Sequence, residues 1–177
     1  TYSEREGRLV NQWASDHAHA LAAATPVLVL DMYEHAYPLD YGANAAAYVD
    51  AFMRNVDWKA VHARYQRAVM AASASSRATR AELGQARLFD VRREGVYAQA
   101  SSRLPGAAWR DPARVDVWAR EVPTDEPVVL YCVHGHELSQ GATLRLRAAG
   151  VDARFLEGGI EGWLAAGGSV EPKEASK

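Results

Sequence analysis

From residue 87 onward the chain alternates short apolar runs with amphipathic stretches, and this rhythm restricts its fold more than any other feature. Residues 87–91, 128–131 and 153–156 read as strands, and residues 95–101, 112–121, 140–149 and 160–166 read as helices. Strand, helix and strand in repeated succession is the pattern of a parallel sheet covered on both faces. Pro112 suits a first helical turn, and Gly150 suits the position just past a helix end.

The first 70 residues lack that alternation and read as α+β. Residues 8–14 and 26–31 are strand candidates, and Glu4-Arg5-Glu6-Gly7 is a turn before the first. Two helices follow, over 44–56 and 58–70. Tyr48, Phe52 and Val56 recur at helical spacing in one, as do Val61, Tyr65 and Val69 in the other, which predicts one buried stripe each. Asp57 is placed to cap the second helix. Residues 71–80 (Ala-Ala-Ser-Ala-Ser-Ser-Arg-Ala-Thr-Arg) are small and polar, the composition of a flexible linker. The expected organisation is therefore a domain over 1–70, a linker over 71–80, a domain over 81–170 and a flexible charged tail over 171–177.

Charge and composition remove several function classes. The net charge is −2 and no long basic block occurs, which argues against a nucleic-acid or anionic-membrane surface. No apolar run approaches the roughly 20 residues of a membrane-spanning helix. A single cysteine forms no internal disulfide, which points to the cytoplasm. The chain starts without Met, and Thr1-Tyr2 read as the tail of a strand, so a piece of a longer protein is expected.

That single cysteine, Cys132, closes the apolar run 128–131 and opens a polar turn of Val133, His134, Gly135, His136, Glu137, Leu138 and Ser139. A helix is expected immediately afterwards. A cysteine between a strand and a helix start faces the positive end of a helix dipole and a ring of loop amides. Both favour an anionic, nucleophilic sulfur. Gly135 lets the backbone close around a ligand with no Cβ in the way.

Four segments of the second part carry a family pattern in order. They are Leu88-Phe89-Asp90-Val91-Arg92, Leu104-Pro105-Gly106-Ala107, Tyr131-Cys132 with Gly135 and Ser139, and Leu156-Glu157-Gly158-Gly159-Ile160-Glu161-Gly162-Trp163. Together they resemble the rhodanese superfamily. The resemblance implies an α/β domain with a parallel central sheet and a sulfurtransferase in which Cys132 carries a persulfide. Its partners would be a small sulfur donor and a thiol or cyanide acceptor. Asp90 and Arg92 would form an ion pair or support the loop. The loop is one residue longer than in a minimal rhodanese, near the length used by phosphatases and arsenate reductases of the same fold. It lacks the arginine with which those enzymes clamp a tetrahedral oxyanion, and Glu137 would repel one. His134 and His136 are the imidazoles nearest the sulfur that could supply positive charge.

In the first part, Asp31-Met32-Tyr33-Glu34-His35-Ala36-Tyr37 resembles the metal-binding signature of iron/manganese superoxide dismutases. Asn11-Gln12, Leu39-Asp40-Tyr41, Tyr48 to Phe52 and Asn55 to Trp58 extend the likeness. A hard carboxylate and an imidazole four residues apart can reach one metal. The resemblance implies Asp31 and His35 as two of four ligands to iron or manganese. Glu34 and Tyr37 would lie in the surrounding shell and at a homodimer interface. Tyr33 and Pro38 depart from the usual residues. That family takes its other two histidines from an upstream helical hairpin, which these 177 residues do not contain. His17 and His19 match no ligand spacing of the family, and His62 reads as a surface helix residue.

The resulting expectation is the C-terminal α+β part of an iron/manganese superoxide dismutase fused to a rhodanese-like α/β domain. The favoured activity is persulfide transfer at Cys132. The alternative is superoxide dismutation in the complete protein, with the rhodanese-like domain as a redox sensor or regulatory module. Either would fit oxidative-stress work.

Overall fold

The computed structural model describes residues 1–16 and 18–173. It opens with three short strands, β1 (Tyr2–Ser3), β2 (Arg8–Leu9) and β3 (Ala24–Thr25), which pair antiparallel with β1 in the centre. Helices α1 (Pro38–Tyr41), α2 (Ala45–Arg54) and α3 (Trp58–Ser73) follow. Asn44 caps α2 by accepting from Ala47 N, and Asp57 caps α3 by accepting from Ala60 N.

The expected strands over 8–14 and 26–31 are corrected. Only Arg8–Leu9 pairs, and residues 26–31 run without a sheet partner. Each ladder needs a free edge, and β1 is two residues long with β2 on one side and β3 on the other. The two helix stripes also differ. Val69 is buried, while Tyr48, Phe52 and Val56 are only half covered. Phe52 and Val56 line an open cleft of about 480 Å³ whose other wall is the segment 26–29, while Tyr48 stacks on Tyr37.

The expected linker is structured. Residues 71–73 complete α3, a 3₁₀ turn spans Ala74–Ser76, and β4 (Arg77–Ala78) joins the main sheet. Its small size is what lets it pack: Ser73, Ser76 and Ala78 are all buried. Helix α4 (Arg80–Leu83) then begins with a capping box between Thr79 and Glu82.

The second part continues with β5 (Arg87–Asp90), α5 (Glu94–Gln99), β6 (Ser102–Arg103), β7 (Ala108–Trp109), α6 (Val115–Trp118), β8 (Val128–Tyr131), α7 (Glu137–Ala148), β9 (Ala153–Leu156), α8 (Gly159–Ala165) and β10 (Glu171–Pro172). Among the described residues the main sheet has the order β4-β9-β8-β5-β7, and all of its pairings are parallel. Helical turns at Pro112–Arg114 and Ala119–Glu121 extend α6 on both sides. The expected fraying of the tail is corrected for residues 171–173. β10 pairs antiparallel with β6, Arg103 Nε lies 2.7 Å from Glu171 Oε1, and Lys173 Nζ donates to Tyr97 O. The remainder of that expected tail, 174–177, lies outside the described residues.

Alternate residues of the central strands supply two cores. Phe89, Val128, Leu130 and Cys132 pack on one face with Trp118 and Leu146. Val129, Tyr131 and Leu156 pack on the other with Leu104 and Ile160. A third cluster joins the two parts: Tyr2, Val27, Ala68 and Val69 close over Leu144 of α7.

Candidate functional site

β8 is buried along its whole length at the middle of the sheet and delivers Cys132 to its C-terminal end. Ligands of open α/β sheets gather at that edge. Helix α7 begins three residues earlier than the sequence predicts, at Glu137. Glu137, Leu138 and Ser139 are therefore its first turn, and the loop proper is Cys132 to His136. His136 makes no side-chain cap, so the first-turn N–H groups are not claimed by it.

Ser139 Oγ lies 3.3 Å from Cys132 Sγ and also within 3.3 Å of His136 O. Gln140 Nε2 donates to Gly135 O at 3.0 Å and pins the loop from the same turn. Cys132 is 5% exposed and belongs to the α7-side core, with Ala142 and the half-buried Leu138 in the same cluster. A small reactant suits such a position better than a bulky one. His134 and His136 stand on the exposed rim with ring centres 5.6 Å apart, and His134 Nδ1 is 3.0 Å from Glu161 Oε2. Val133 is half-buried beside them.

The segment 156–163 closes the other side. Ile160 N donates to Cys132 O at 3.0 Å and Glu161 N to Val133 O at 3.1 Å. Gly135 and Gly159, both at positive φ, meet back to back. A Cβ on Gly159 would stand 2.4 Å from both Cys132 O and Val133 O, so no larger residue allows this closure.

Asp90 and Arg92 form a buried pair. Arg92 Nε is 2.9 Å from both Asp90 oxygens, and its Nη2 donates to Ser102 O at 2.9 Å. Tyr131 Oη donates to Asp90 Oδ2 at 2.9 Å and accepts from Leu104 N at 3.1 Å. Burial and the neighbouring Asp90 carboxylate push the Tyr131 phenol well above its ordinary range. Burial alone would lower the Arg92 pKa, but the hydrogen bond and charge of Asp90 raise it overall. The pair therefore supports the strand residue before Cys132, from the opposite face of the sheet. Tyr131, Gln140 and Gly159 escaped the residue-by-residue reading. Only their places inside the four ordered motifs or beside them could have drawn attention to them.

These features bring three of the ordered segments of the second part to Cys132 and tie the fourth, 104–107, to the neighbouring Tyr131. A family model described as rhodanese-like domain matches residues 73–166. The chain belongs to the rhodanese-like family. Residues 1–64 match the C-terminal domain of iron/manganese superoxide dismutases, so the chain is a fusion of the two. An iron superoxide dismutase of Cupriavidus metallidurans is 70% identical over 69 residues, covering 39% of this chain and 35% of that protein. One from Aquifex aeolicus is 39% identical over 66 residues, covering 37% and 31%. The chain thus spans about a third of the length of the curated dismutases it matches. Among solved structures, a full-length protein from Lactobacillus plantarum aligns with TM-score 0.52 at 24% identity, over 59% of this chain and 94% of that one. A protein of unknown function from Rhodopseudomonas palustris, described as a possible tyrosine phosphatase, aligns with TM-score 0.50 at 21% identity, over 59% and 92%. These two likenesses concern the fold alone.

In the dismutase-like part, His35 Nε2 lies 3.4 Å from Asp31 Oδ2. Asp31 Oδ1 already accepts from Tyr33 N, and the His35 ring stacks on Tyr33. Glu34 is exposed, and Tyr37 stacks on Tyr48 at 5.1 Å. His19 pairs with Ser15, His62 lies by Tyr65, and His17 is outside the described residues. Among the described residues no three His, Cys, Asp or Glu side chains gather as a metal site. Asp31 and His35 thus lie together as two solvent-facing donors, too few by themselves for a closed iron or manganese centre. No described helix is long and apolar enough to cross a membrane.

Proposed function

We propose that the rhodanese-like domain is a persulfide-forming sulfurtransferase with Cys132 as its nucleophile. The observation that carries this reading is the sulfur's seat against the uncapped first turn of α7, 3.3 Å from Ser139 Oγ. The Cys132 thiolate attacks the outer sulfur of a donor such as thiosulfate. One S–S bond forms, the donor's S–S bond breaks, and sulfite leaves with the electron pair. An acceptor thiolate or cyanide then attacks the outer sulfur and returns the Cys132 thiolate. Helix-end and loop amides stabilise the anionic sulfur and the departing anion. Residues 132–139 form the site, with Asp90 and Arg92 supporting it through Tyr131. A cytoplasmic setting and an oxidative-stress role belong to the same proposal.

Incubation with thiosulfate followed by intact-mass measurement tests it. One sulfur atom should be added to the wild-type chain and none to Cys132→Ser. A wild-type chain that takes up no sulfur from thiosulfate or another sulfane donor sinks the reading.

The 70% identity to an iron superoxide dismutase favours a second activity in a protein that supplies further ligands beside Asp31 and His35. The dismutase-like part would then form a homodimer and the rhodanese-like domain would serve as its redox sensor. Metal content separates the cases. This chain alone should retain no stoichiometric iron or manganese after dialysis.

A further inference from the structure

Helix α7 has two working faces. Ser139, Ala142 and Leu146 turn toward Cys132 and the core behind it. Glu137, Gly141 and Leu144, spaced at helical intervals, turn toward the dismutase-like part. Leu144 is buried under Tyr2, Val27 and Val69, and the Tyr65 hydroxyl lies 3.8 Å from where a Cβ on Gly141 would stand. At the amino end of this seam, Gln66 Nε2 of α3 donates to Glu137 Oε2 at 3.2 Å. Burial first, and then the Glu137 carboxylate, raises the Tyr65 pKa, which is consistent with that carboxylate residing on the α3 side.

The position of this carboxylate matters because it shares a helix end with the sulfur. The amino end of α7 carries partial positive charge that an anion on Cys132, or an anionic reactant, would use. Glu137 is the acidic group of the same turn and competes for it. Left free, its carboxylate would repel an approaching anion at distances where screening is incomplete.

We infer that Gln66 is a positioning residue for the cysteine site: by holding Glu137 against α3, it keeps the α7 amino end available to Cys132 and to anionic reactants. The dismutase-like part thereby contributes to the chemistry of the rhodanese-like domain. The inference rests on the proposed function only for the identity of the natural anion. The property it assigns is preference for negative charge at the sulfur.

The test compares alkylation of Cys132 by iodoacetate, which is anionic, and iodoacetamide, which is neutral. Gln66→Met keeps the side-chain length but removes the donor, and Gln66→Ala removes both. Either should lower the iodoacetate-to-iodoacetamide rate ratio by about 3- to 10-fold, the scale of one partly screened charge. Melting should stay within the scatter of surface variants. Adding Glu137→Gln to either should restore the ratio, and in the Gln66 single variants thiosulfate KM should rise as the ratio falls while kcat stays level. An unchanged ratio, equal slowing with both reagents, or failure of Glu137→Gln to restore it overturns the inference. Should the Gln66 variants shift the ratio as described while wild type accepts no sulfur, persulfide transfer fails and the role of Gln66 stands.

Discussion

Tyr131 and Cys132, adjacent in the chain, work on opposite faces of the central sheet. The phenol bridges Asp90 Oδ2 and Leu104 N on one side, and the sulfur sits against Ser139 of α7 on the other. Strand pleating enforces this division. Cys132 is therefore anchored by a polar network it does not touch.

Tyr131→Phe leaves the buried Leu104 N–H without its acceptor and Asp90 without one donor. We expect a loss of about 1–3 kcal/mol in urea unfolding. Alkylation of Cys132 should change less than stability does, because the network lies across the sheet from the sulfur.

Asp90→Ala strands the Arg92 guanidinium in the interior. The expected loss is about 3–5 kcal/mol, and replacing both residues by apolar ones should recover part of it. Chemical denaturation of the single and double variants checks the sign.

Gly159→Ala drives a Cβ into two loop carbonyls at a positive φ. Stability should fall by more than about 1 kcal/mol, and uptake of sulfur from thiosulfate should slow. A variant as stable and as fast as wild type would show that residues 156–163 do not shape the loop.

Leu144→Ala opens the seam between the two parts and should cost about 2–5 kcal/mol. Because α7 belongs to both parts, both should respond. Hydrogen exchange should therefore accelerate in α3 as well as around Cys132. Acceleration confined to α3 would contradict the shared helix.

Glu82 is held below the ordinary carboxylate range, first by the Thr79 N–H and hydroxyl and, after the opposing effect of desolvation, by Arg154. Its folded-state pKa is depressed, so its contribution is present above the unfolded value and is lost as pH falls through the folded one. Asp116, paired with Arg145, and Glu171, paired with Arg103, carry the same sign. Melting should fall as these carboxylates protonate, and Glu82→Gln should flatten the acid side of the profile.

The parallel α/β core was legible because strand and helix periods alternate cleanly after residue 87. The four ordered segments also fall on strand ends and turns that meet at the adjacent residues Tyr131 and Cys132. The 71–80 linker was misread because small polar residues suit both a flexible tether and a tight turn against a packed surface. Buried Ser73, Ser76 and Ala78 show the second. Residues 26–31 look like a strand in isolation, yet a strand exists only where a neighbour offers a free edge.

Local chemistry in the sequence was sufficient for the cap at Asp57, the placement of Cys132 between strand and helix, and the glycine at 135 in the loop. Each depends on residues a few positions apart. Three features required the folded chain. Gln66 reaches Glu137, Tyr131 bridges Asp90 and Leu104, and Asp31 and His35 remain a solvent-facing pair. Those outcomes depend on which surfaces meet, and surfaces distant in sequence meet only when the cores between them have packed.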